Sequence, residues 1–166
     1  MAQSSESIEH LLEDVSYLIY EMDALESVIN EVPLYENPAN SESIFDLIAM
    51  IDFAQTHYYK PLLEQLFTQV KVDVSIKPIK QLYKESEQEV EEIEELLPRL
   101  ISNRKKISDW LSKIPMDSFF RTGKINAEHV SMQSLLADML QFERKQLRLV
   151  ADRVIAMDST TSEKPQ

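Results

Sequence analysis

The chain has 166 residues, no cysteine, a single glycine (Gly123), and 29 acidic against 17 basic side chains, for a formal charge of −12. That length suits one domain with a hydrophobic core of its own, and the lack of cysteine excludes disulfides, thiolate metal sites and thiol nucleophiles. Phosphate-cradling loops and dinucleotide fingerprints need several glycines, and the acidic surplus repels nucleic acid and anionic membranes, against which the only basic cluster is Arg104, Lys105 and Lys106.

The opening MAQSSESIEH lacks the basic flank and apolar run of a signal peptide, and no later stretch reaches the ~20 apolar residues of a membrane span, so the expected location is cytoplasmic. A first helix is predicted over 5–30, because apolar residues from Ile8 through Val15, Leu18 and Met22 to Ile29 recur every three to four positions. Pro33 and Pro38 make 32–40 a loop. Ser43 followed by Asp46 resembles a capping box and marks the start of a second helix. Its inward stripe is Ile44, Leu47, Ile48, Ile51, Ala54, Tyr58 and Leu62, and Pro61 is predicted to kink it.

Val70, Val72, Val74 and Ile76 alternate with polar residues, a period of two that means extended chain. With no partner strand evident, the segment reads as an extended connection. About nine residues at ~3.3 Å span ~30 Å, the length of a ~20-residue helix, so it can cross a whole bundle and let the helices on either side run parallel.

A third helical region is predicted over 79–113. It begins with an acidic, solvated run (Glu85, Glu87, Glu89, Glu91, Glu92, Glu94, Glu95), is kinked or broken at Pro98, and continues with Leu100, Ile101, Ile107, Trp110 and Leu111 inward. Residues 115–129 form a long connection. A last helix over 131–157 turns Leu135, Leu136, Met139, Leu140, Leu147, Val150 and Val154 inward, which leaves one domain over 1–157 and a polar tail over 158–166. The fold class read from this order is all-α, a four-helix bundle with up-down-down-up topology and a long overhand connection between the second and third helices.

Metal chemistry has little to work with. His10, His57 and His129 never fall three or four residues apart, so no helical turn presents two of them together. The carboxylate pairs Glu13–Asp14 and Glu94–Glu95 lie on outward faces, and no Glu-x-x-His sequence offers a di-iron site.

RTGKINAEHVSMQSLLADMLQFERKQLRLVADRV, beginning at Arg121, is similar to the last part of the DinB-like bundle family: an Arg-x-Gly turn, then a helix that in relatives carries His-Glu-x-x-His. SESIFDLIAMIDFAQ resembles that family's second helix and RLISNRKKISDWLSKI its third, so the resemblance covers most of the chain. It implies the same overhand topology, a homodimer, and a divalent metal held by three histidines. Aligned on those motifs, the three histidine positions are Met50, Phe142 and Gln146, with Glu143 retained. Phenylalanine cannot coordinate, and a thioether and an amide oxygen are poor ligands for zinc or nickel.

Two fates for that place are open: a core position filled by Met50 and Phe142, or a small apolar pocket with Gln146 and Glu143 as its polar groups, suited to an organic ligand. The expected function is that of a non-catalytic, metal-free and cofactor-free protein that binds a small ligand or a protein partner, with a stress-associated role. The alternative is an enzyme like the family's metal-dependent thiol transferases, using other ligands. A DNA-binding role, suggested by the family's name alone, is opposed by the charge.

Overall fold

The computed structural model describes residues 2–38, 41–86 and 92–162. Helix α1 (Ala2–Ile29) buries Ile8, Val15, Leu18, Met22 and Ile29, the predicted stripe. The loop after it is pinned where the Phe45 N–H donates to the Leu34 carbonyl at 2.9 Å. Helix α2 (Ile44–Ala54) starts at the predicted cap: Ser43 Oγ accepts from the Asp46 N–H at 3.0 Å and the Asp46 carboxylate accepts in return from the Ser43 N–H at 3.3 Å. These bonds satisfy amides that the first turn leaves without partners.

Pro61 has no N–H for the carbonyl four residues back and its ring crowds that carbonyl. The chain passes it by widening into a π turn, Gln55–Tyr59, in which the Lys60 N–H donates to the Gln55 carbonyl, and then continues as α3 (Lys60–Thr68).

The alternating segment does find a partner, contrary to the sequence reading. Strand β1 (Asp73–Val74) lies parallel to β2 (Thr122–Ile125), which pairs antiparallel with β3 (Glu128–Ser131). The Lys124 N–H donates to the Val72 carbonyl at 2.8 Å, and Asn126 Oδ1 accepts from the Ile76 N–H at 2.8 Å. The partner was hidden because β2 has four residues, one of them Gly123, too few to display a period. Gly123 is needed for approach, not for an unusual backbone angle: a Cβ there would meet Leu66 Cδ2 and Val72 Cβ at 2.7 Å.

The third helical region is two helices, α4 (Ile79–Glu85) and α5 (Ile93–Ser112). Ser86 ends α4 in extended backbone, its hydroxyl donating to the Tyr83 carbonyl at 2.6 Å, and Glu92 restarts the chain from extended backbone. The Tyr35 hydroxyl accepts from the Ile93 N–H at 3.1 Å, capping α5 from the first loop. Glu87, Glu89 and Glu91 lie outside the described residues, while Glu85, Glu92, Glu94 and Glu95 are exposed. Pro98 does not break α5. It sits near the N-terminal end and faces solvent, where its lost bond is one of the easiest to replace with water. A 3₁₀ turn (Met116–Phe120) buries Phe119 and leads into the hairpin. The last helix, α6 (Met132–Ser162), runs past the expected tail boundary at Asp158, and residues 163–166 lie outside the described residues.

The fold is thus predominantly helical with a small three-stranded sheet. Helix α1 packs on α5 and α6, and α2 packs on the same two. Among the described residues no helix is long and apolar enough to cross a membrane.

Candidate functional site

The buried apolar residues form two clusters, and the boundary between them recurs on four helices. On α1 it falls between Val15 and Leu18, on α2 between Ile51 and Ala54, on α5 between Leu100 and Ile107, and on α6 between Leu140 and Val150. The buried polar residues Asp52, Gln55, Arg104, Glu143 and Gln146 sit at those boundaries. A polar layer therefore crosses the core.

Its centre is Arg104, whose side chain is wholly enclosed and paired with the Glu143 carboxylate. Arg104 Nε donates to Gln55 Oε1 at 3.0 Å and Nη1 to the Val15 carbonyl at 3.2 Å. Gln55 Nε2 donates to the Leu100 carbonyl at 3.1 Å and to Asp52 Oδ1 at 2.9 Å. Asp52 also accepts from Asn103 Nδ2 at 3.1 Å and, on its other oxygen, from Arg99 Nε at 2.9 Å. Burial pushes the Arg104 guanidinium down from its ordinary pKa, against which Glu21 pulls up. Arginine keeps its proton even so, and charge on both partners lets the pair offset its desolvation. Half-buried Glu21 on α1 is itself raised, by burial first, with Arg144 and Arg104 opposing.

Arg104 does not belong to the surface cluster the sequence suggested. Leu100, Arg104, Ile107 and Leu111 are spaced four, three and four apart, so Arg104 falls on the inward stripe of α5. That phase was the available signal. Gln55 follows Ile51 by four and Asp52 follows Ile48 by four, the same signal on α2.

Met50, Phe142 and Gln146 are brought together and line a recess of about 210 Å³, walled further by Leu47 and Leu149. Met50 is buried and Phe142 half-buried. Glu143, one residue along α6, turns instead to Arg104 and leaves the recess without its carboxylate. Gln146 is 7% exposed; its amide makes no hydrogen bond to any described residue and is not among the fully buried polar atoms that lack a partner, so it is open to solvent at the recess.

The recess adjoins a cleft of about 440 Å³ lined by Asn37, Ser41, Asp46, Tyr83 and Lys84, and Glu42, Met50 and Lys80 border both. Lys80 pairs with Glu42 between the two spaces and holds its carboxyl below the usual carboxylate range, Arg153 adding to the effect. Asp46, already engaged with Ser43, accepts from the Tyr83 hydroxyl at 3.1 Å. Burial and the Asp46 charge raise the pKa of that hydroxyl, which stays a donor.

The residues at the expected metal position do not fit a divalent transition metal. Gln146 offers one neutral oxygen, Met50 a thioether, Phe142 nothing, and Glu143 is committed to Arg104. The histidines stand apart: His10 is exposed on α1 near Glu13, His57 stacks on Phe53 at 4.9 Å in the π turn, and His129 is exposed on β3. No group of three or more His, Cys, Asp or Glu that could hold a metal occurs among the described residues. Comparison with known proteins finds no family model that matches the chain and no curated protein similar to it.

Proposed function

We propose that the chain is a non-catalytic binding protein that takes a small organic ligand in the recess over Met50. One observation carries the reading: Met50, Phe142 and Gln146 converge on a mostly apolar recess, walled further by Leu47 and Leu149, at which Gln146 has an amide free of protein partners among the described residues. Concave, mostly apolar sites with a few placed polar groups are what small ligands use. In this reading the chain is a DinB-like four-helix bundle of up-down-down-up topology. Residues 70–76 serve as the overhand connection, and the former metal place is given over to an organic molecule. The mutual packing of α1 and α2 on α5 and α6 supports that arrangement.

The test is a titration of protein carrying ¹³C-methyl methionine with octan-1-ol. A saturable shift of the Met50 methyl is expected in the parent, and none in Leu149→Trp, which fills the recess from its exposed rim. Stoichiometric zinc or nickel in the purified protein would overturn the reading in favour of a metal-dependent enzyme.

A further inference from the structure

Taken together, the cleft and the recess carry a charge unlike that of the rest of this acidic chain: Lys80 and Lys84 line the cleft and Lys80 and Lys145 the recess, against the carboxylates of Glu42 and Asp46. Both carboxylates are engaged. Asp46 accepts from the Ser43 N–H and hydroxyl and from Tyr83, and Glu42 is paired with Lys80. Lys84 and Lys145 pair with no carboxylate among the described residues. Lys80 and Lys84 are one turn apart on α4 and share a face.

The two spaces divide by chemistry. The larger is bordered by Asn37, Ser41, the Tyr83 hydroxyl and lysines, the smaller mainly by Leu47, Met50, Phe142 and Leu149. The smaller one, at about 210 Å³, lies below the ~300–1,000 Å³ usual for ligand sites, and its neighbour, at about 440 Å³, falls within that range.

We infer that the ligand is an amphiphilic carboxylate, its chain lying over Met50 in the recess and its head group in the adjoining cleft against Lys80 and Lys84. The inference rests on the ligand reading above and adds the head group to it. A chain entering the recess displaces water from apolar walls, which supplies most of the affinity. The carboxylate replaces Glu42 as the partner of Lys80, or shares it, and brings Lys84 its missing counter-ion. A neutral alcohol of the same length gains the first term without the second. A short acid gains the second, which is small at an exposed site.

The experiment compares octanoate, octan-1-ol and acetate by calorimetry and by the Met50 methyl resonance, in the parent chain and in the variant Lys84→Gln. Lys84 is exposed and pairs with no carboxylate among the described residues, so the variant is expected to fold as the parent does. The expected result is octanoate binding tighter than octanol, with acetate showing no saturable binding. In the variant, octanoate weakens by roughly twofold to fivefold while octanol is unchanged. Octanol binding as tightly as octanoate overturns the head-group inference and leaves the ligand reading standing. No Met50 response to either long-chain probe overturns both.

Discussion

Arg104 of α5 and Glu143 of α6 form an ion pair whose side chains are 0% and 4% exposed, in the middle of a core that is otherwise apolar above and below. Removing one member leaves the other charged and dry. Arg104→Met should lose about 3–5 kcal/mol of unfolding free energy, whereas Arg104→Met combined with Glu143→Leu should lose clearly less than the two single changes added. Urea denaturation of the four proteins checks this. Simple additivity would mean that the two side chains do not depend on each other.

Gly123 lies where a Cβ would meet Val72 Cβ and Leu66 Cδ2 at 2.7 Å. Leu66 can rotate away, but Val72 Cβ is fixed to its backbone. Gly123→Ala should therefore cost about 1–3 kcal/mol by overpacking. An unchanged denaturation midpoint would show that β1 moves aside freely.

The β2–β3 turn holds Asn126 at φ 52° and Ala127 at φ 67°. Asparagine tolerates this region and alanine does not, at about 1–2 kcal/mol for a left-handed L-residue. Glycine escapes that strain but surrenders more freedom on folding, so Ala127→Gly should stabilise the protein by about 1 kcal/mol or less. A lower melting temperature for this variant would mean that the turn relaxes into another form.

Glu21 has its carboxyl pKa raised, so the native state holds this proton more tightly than the unfolded chain does. Stability from this group is then present at low pH and is lost as pH rises through the raised value. Glu21→Gln should raise the melting temperature at pH 7, with the gain shrinking as the pH falls through the raised value and gone below the ordinary carboxyl range. The group is half exposed, so the gain is small. A variant less stable than the parent at pH 7 would show instead that Glu21 is needed as a counter-charge to Arg104 and Arg144.

Apolar spacing located α1, α2 and α6, because each presents a long inward stripe that dominates the local pattern. The cap at Ser43 was equally plain, since its chemistry is local. The sheet was not, for the residues that complete β1 lie across the chain in a segment with one glycine and no usable period. At the candidate site, Met50, Phe142 and Gln146 were located by motif order, and the structure does gather them. Glu143 was grouped with them as the retained Glu of the His-Glu-x-x-His pattern, although a one-residue step on a helix turns a side chain by about 100°. Arg104 went unrecognised because its two lysine neighbours suggested a surface, while its phase with Leu100 and Ile107 pointed inward.

The parallel pairing of β1 with β2 joins segments far apart in sequence, as the Ile76 amide reaching 50 residues to the Asn126 side chain illustrates. The β2–β3 hairpin closes on its own short turn, but β1 can be added only after the whole of α5 has been laid down between them, and closing so long a loop is entropically slow. Joining β1 to the hairpin therefore closes the costlier of the two loops in this corner of the molecule, and a chain interrupted anywhere in α5 would leave β1 with nothing to join.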